Sequence, residues 1–207
     1  MILTARQNDA LAELVNIAFA RTAAALSELT GHRVRLNPPE VSVHPTADLP
    51  SVLARFLPGE VTSIHQVFVG PVSGDALLLL NYDGALQLAS LLTQESGQRS
   101  YLDESSREVL TEVGNILLNA CLGMFGNLLQ VRFSFSVPGL HMETLEELLD
   151  SLISDKGALH YALVISTAFQ VRESAVSGYL VIVLTVASLD RLVLEVEGWE
   201  QRQGAKA

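Results

Sequence analysis

"EVLTEVGNILLNACLGMFGNLL", residues 108–129, is apolar at most positions yet carries a polar seam. Glu108, Glu112, Asn115 and Asn119 fall at i, i+4, i+7 and i+11, one stripe along a helix. The other positions suit burial against a core. A helix ready for burial, with a carboxylate and an amide three residues apart on one side, needs a reason for that seam.

An upstream copy narrows the reasons. "DALAELVNIAF" (9–19) aligns with "EVLTEVGNILL" (108–118), so that Glu13 falls on Glu112, Asn16 on Asn115 and Ile17 on Ile116, at an offset of 99 (112 − 13). Pro39 falls on Pro138 at the same offset, each in an extended segment, "RVRLNPPEVSV" (33–43) and "VRFSFSVPGLHM" (131–142). Further on, "VSGDALLLL" (72–80) resembles "VSGYLVIVL" (176–184) at an offset of 104 (176 − 72). The second half has thus gained about five residues, and the spacing places them near "ISDKGALHY" (153–161).

Both halves show one order of elements. Each begins with a long helix. The first is capped by Thr4 and Gln7 and stopped by Gly31; the second has Ser105 and Glu108 at capping-box spacing. A proline-bearing strand follows, then a short helix (47–57; 143–153), two strands (65–72 and 76–82; 161–172 and 178–187) and a closing amphipathic helix (83–94; 188–199). Repeats of about 100 residues are too long for a solenoid. The expectation is an α+β fold, one domain over 1–207 made of two pseudo-twofold repeats, about 1–100 and 101–207. Its two long motif-bearing helices pack against a mainly antiparallel β-sheet, with helices covering a face. The nearest linker candidate, "TQESGQRSYLDESS" (93–106), is short.

Composition limits the partners. Of 207 residues 49% are hydrophobic and 17% charged, enough apolar matter for a sizeable core. The formal net charge of −10 gives no electrostatic footprint for nucleic acid or an anionic membrane. The single cysteine, Cys121, lies among apolar positions of the second long helix, as a core thiol would. The N-terminus lacks the basic and apolar regions of a signal peptide, and the longest apolar run, 179–187, is too short to span a bilayer, so a cytoplasmic protein is expected. His32, His44, His65, His141 and His160 are scattered without ligand spacing, and no dinucleotide, Walker A or nucleophile-elbow motif occurs; no metal or cofactor bound by this chain is expected.

A Glu and an Asn at i, i+3 would, in one copy, be a solvated face or a hydrogen bond across a helix pair. Two diverged halves that keep Glu, Asn and a distant Pro while changing most other positions point instead to a function. The pattern is an acidic residue or Ser, then x3-Glu-x2-Asn, then Pro after 22 intervening residues, and it occurs twice. It resembles the CheC-like chemotaxis phosphatases, the CheC/CheX/FliY type, over nearly the whole chain. The first copy, Asp9, Glu13, Asn16 and Pro39, is a full match; the second, Glu108, Glu112, Asn115 and Pro138, has Glu at the edge position.

The resemblance implies a phosphatase that hydrolyses the aspartyl-phosphate of CheY-like response regulators. It implies that Asn16 and Asn115 orient the attacking water, that Glu13 and Glu112 contact a receiver lysine, and that Mg²⁺ is bound by the partner receiver. Asp9 and Glu108 would edge each site, and Pro39 and Pro138 would hold an extended segment beside each helix. An asparagine amide donates and accepts at once, which suits it to fix a water without acting as a base. Val15 and Ala18 stand where this family often has glycine, and their bulk is expected to alter how closely a partner helix approaches. The second copy keeps Gly114. The rival reading is a non-catalytic adaptor that binds CheD or a receiver domain, with a flagellar switch component like FliY as a third. Asn16 and Asn115 facing solvent beside Glu13 and Glu112 would favour catalysis over an adaptor.

Overall fold

The computed structural model describes residues 3–31, 33–54, 56–70, 73–93, 101–153, 160–171 and 174–204. Residues 154–159 of the stretch where the insertion is expected, and 94–100 of the linker candidate 93–106, lie outside the described residues.

Helix α1 (Ala5–Thr30) begins at the expected capping box. The Thr4 hydroxyl accepts from the Gln7 N–H at 3.2 Å, and the Thr4 N–H donates to Gln7 Oε1 at 2.7 Å. The helix stops at Gly31, whose φ of 66° is a left-handed conformation that glycine adopts without strain. Helix α4 (Glu104–Leu129) begins differently from expectation. Its cap is Asp103, which accepts from the Ser106 N–H at 2.9 Å, so Ser105 and Glu108 both lie inside the helix. A carboxylate at the cap satisfies an orphan donor and also meets the positive end of the helix dipole, which a serine does not.

The first half continues with β1 (Val34–Leu36), β2 (Glu40–Pro45), a 3-10 turn, α2 (Leu49–Leu53), β3 (Glu60–Val69), β4 (Gly74–Asn81) and α3 (Tyr82–Thr93). The second supplies β5 (Ser134–Phe135), β6 (Gly139–Thr144), α5 (Leu145–Ile153), β7 (His160–Val171), β8 (Ser174–Thr185) and α6 (Val186–Gly204). All eight strands form one antiparallel sheet, in the order β1-β7-β8-β4-β3-β5, with β2 also on β7 and β6 also on β3. The fold is α+β, as expected.

The halves exchange strands. β2 pairs with β7 of the second half, Val41 opposite Ile165, and β6 pairs with β3 of the first, Leu140 opposite Ile64. At the centre β4 and β8 pair, with Leu77 opposite Val181, its own counterpart at the offset of 104. Pro39 and Pro138 stand just before β2 and β6, where a missing N–H costs no ladder bond.

Helices cover both faces of the sheet, not one. On the first face α1, α3, α4 and α6 bury Ala76, Leu78 and Leu80 of β4; on the second α2 and α5 bury Leu77 and Leu79. That is why β4 is a continuous apolar run: a strand buried on both sides has no polar face to alternate. Both α1 and α4 are long and apolar enough to cross a membrane, but each packs its apolar side into the larger core.

Candidate functional site

The packing of α1 and α4 sets the site. Leu11, Leu14, Val15, Ala18, Phe19 and Thr22 of α1 are buried, and so are their counterparts 99 residues on: Leu110, Val113, Gly114, Leu117, Leu118 and Cys121. With one flank of each helix held against the sheet and the other helices, the motif residues are carried to the opposite flank. Asp9, Glu13 and Asn16 are all exposed on α1, and Glu108 and Glu112 are exposed on α4. Asn115 is half-buried.

The expectation about Val15 and Ala18 is corrected here. They are 0% and 2% exposed and face the core, so their bulk meets neighbours in the interior and not an approaching partner. Gly114 occupies the matching place in α4, where β3 comes close: a Cβ there would lie 2.6 Å from Cγ2 of Ile64. The glycine is a packing requirement of α4 on β3. Beside Asn16, Ile17 is 37% exposed, adding an apolar contact to the polar flank.

The two copies differ in their hydrogen bonds. Asn115 donates from Nδ2 to Glu112 Oε2 at a long 3.5 Å, and its Oδ1 accepts from Asn119 Nδ2 at 2.6 Å. The carboxylate can only accept, which fixes the direction of this chain: Asn115 turns its amide to Glu112 and its carbonyl to Asn119. In α1 the position matching Asn119 is Ala20, and among the described residues no side-chain hydrogen bond ties Asn16. Asn119 was visible in the seam, but nothing in sequence spacing assigned it a partner. Pro39 and Pro138 are half-buried, each leading into the strand that its half contributes to the other.

Other features do not gather at the seam. Burial pushes the Cys121 thiol far above the ordinary thiol range, which keeps it protonated and inert. His65 Nε2 lies 2.7 Å from Asp75 Oδ1 across β3 and β4, with no nucleophile in reach of the pair among the contacts described. Among the described residues no three His, Cys, Asp or Glu side chains are grouped to hold a metal ion. A surface cavity of about 530 Å³ lies on the α2 side of the sheet, lined by Ser42, His44, Phe56, Ser166 and Tyr179 among others.

No protein-family model matches the chain. Solved structures do. FliY of Thermotoga maritima is similar over 96% of this chain and 99% of its own, with a TM-score of 0.73 and 18% identity. A chain of the FliM–SpeE complex from H. pylori is similar over 95% and 97%, with a TM-score of 0.66 and 11% identity. The FliM middle domain of Vibrio alginolyticus is similar over 87% and 96%, with a TM-score of 0.60 and 15% identity. The chain has the fold of FliY, in agreement with the fold expected from the resemblance of its doubled Glu-x2-Asn motif.

Proposed function

We propose that this protein acts in chemotaxis signalling as a phosphatase of phosphorylated CheY-like response regulators, in the cytoplasm. The observation that carries the reading is the exposed Glu13–Asn16 pair on a flank of α1 whose other side is locked in the core. A side chain on a rigid helix is positioned far better than one on a loop, and in-line attack demands that positioning.

The reaction needs little from the protein. The oxygen of a water attacks phosphorus, the bond between phosphorus and the aspartyl oxygen breaks, and inorganic phosphate leaves the regenerated carboxylate. The receiver brings its own Mg²⁺ and lysine to stabilise charge on the phosphoryl oxygens. Asn16 holds the water by donating from Nδ2 and accepting at Oδ1, and the Glu13 carboxylate anchors α1 by pairing with the receiver lysine. Glu112 and Asn115 stand at the matching positions of α4. Asp9 and Glu108 flank the two surfaces one turn earlier, and Pro39 and Pro138 set the segments beside them.

A second reading follows from the similarity to FliM: a non-catalytic module that binds a receiver domain, or CheD, without hydrolysis. The two readings part in one experiment. Decay of a phosphorylated CheY-like receiver is followed with the wild-type protein, with Asn16→Ala/Asn115→Ala, and with none. The phosphatase reading expects faster decay with wild type alone, by roughly a hundredfold over the double variant. Binding by both proteins with unchanged decay across the receivers of one organism would leave the adaptor.

A further inference from the structure

The two copies of the motif are not equivalent, and the difference sits four residues beyond the second asparagine. Asn115 bonds to Glu112, one turn before it, and to Asn119, one turn after it. Both bonds run along the helix, so the plane of the amide lies along the axis instead of projecting towards a partner. The Asn115 carbonyl is held by the short bond from Asn119, and one N–H of its amide is turned to Glu112 across a long 3.5 Å contact. In α1 the place of Asn119 is taken by Ala20, which has no polar group to offer, and Asn16 is exposed where Asn115 is half-buried. Nor is Asn119 itself comfortable. Its Nδ2 donates at 2.6 Å while its Oδ1 is buried without a partner among the described residues. An amide fixed by one short bond, with the other end unsatisfied, is held by its neighbour and not by solvent.

We infer that Asn119 is a positioning residue that turns Asn115 along the helix axis, closing the α4 copy of the site and leaving turnover to the α1 copy. This rests on the phosphatase reading above and adds to it which copy works and what sets the difference. A water-orienting amide must aim a donor and an acceptor at the same water; the short bond from Asn119 and the longer contact with Glu112 aim those of Asn115 along the helix. Ala20 leaves Asn16 uncommitted.

Exchange of the two residues tests this. Asn16→Ala isolates the α4 copy and leaves roughly a tenth or less of the wild-type rate. Adding Asn119→Ala to it raises kcat several-fold, with KM for the phosphorylated receiver unchanged, because contact with the receiver is not what was released. Conversely, Ala20→Asn in an Asn115→Ala background lowers kcat at constant KM. A change of stability alone would not divide kcat from KM in this way. Asn16→Ala/Asn119→Ala staying at or below the rate of Asn16→Ala would overturn the inference, as would an Asn115→Ala variant less active than Asn16→Ala. Side-chain amide exchange measured by NMR on the unphosphorylated protein keeps the two claims apart. If wild type does not speed receiver decay, the phosphatase reading fails. The clamp then still stands on slow exchange of the Asn119 NH₂ and a shifted Asn115 amide signal in Asn119→Ala, and falls if Asn119 exchanges like a free amide.

Discussion

Gly114→Ala sets a gain in helix propensity against a close approach. Alanine in place of glycine inside a helix favours the helix by about 1 kcal/mol. Against this, the new Cβ would stand 2.6 Å from Cγ2, 2.8 Å from Cβ and 3.1 Å from Cγ1 of Ile64, where ordinary contact begins at 3.4 Å. About 0.8 Å (3.4 − 2.6) must be found by moving α4 away from β3 or by turning Ile64. Ile64 is 0% exposed and lies on a strand flanked by β4 and β6, so it has little room to turn. Overpacking of this kind costs about 1–3 kcal/mol, so the net expectation is a loss of about 1 kcal/mol. For a chain of this size that lowers the melting temperature by about 2–4 °C.

Thermal and urea unfolding followed by circular dichroism measure it. A double-mutant cycle with Ile64→Ala assigns the cause. Ile64→Ala alone costs about 2–5 kcal/mol, and combined with Gly114→Ala it should cost less than the sum by about 1 kcal/mol, because the added methyl enters the space vacated. A higher melting temperature for Gly114→Ala, or strict additivity in the cycle, would refute the close approach of α4 to β3. The site would then lose the reason given for its glycine.

Two further outcomes follow from the helix starts. Asp103→Ala removes the cap whose carboxylate accepts from the Ser106 N–H at 2.9 Å, and should cost about 1 kcal/mol in unfolding free energy. Ser105→Ala, by contrast, should be near neutral. At α5, the Thr144 N–H and hydroxyl hold the Glu147 carboxylate at 2.9 and 2.8 Å and lower its pKa, the backbone bond first. A lowered folded-state pKa gives stability that is present above the unfolded carboxylate value and lost as the pH falls through the folded one. Glu147→Gln should therefore be less stable than wild type near neutrality, and the gap should close below about pH 4, as read from urea midpoints across the acid range.

Much of this was legible because duplication prints the same physics twice. Thr4, Gln7 and Gly31 mark the ends of α1 by local chemistry that packing did not override. Glu13, Asn16, Glu112 and Asn115 were found by their spacing, and the buried stripe on each helix puts three of the four in solvent. What was not legible depends on choices between equals. Asp103 and Ser105 are both competent caps, and only the folded chain selects the carboxylate. Val15 and Ala18 sit beside the motif in sequence but one side further round the helix, which turned an expected effect on a partner into a packing contact. The bond from Asn119 to Asn115 is one of several an i, i+4 amide pair could form. The exchange of β2 and β6 between halves is least visible of all, since each strand's apolar pattern would satisfy a partner from its own half equally well.

That exchange sets the order in which the protein comes into being. β3 and β4 are neighbours in the chain and close a hairpin as soon as both are made. β2 must wait. Its partner β7 lies far downstream, with Ile165 coming 124 residues (165 − 41) after Val41, an interval of about 6–25 s at ordinary rates of synthesis. Helix α1 waits with it, since it leans on β1, β2, α4 and α6, and the first two of these are paired only through β7. Of the described helices, α1 leaves the ribosome first and is among the last to be seated. An interrupted translation product carries Glu13 and Asn16 intact, and has nothing to hold them in place.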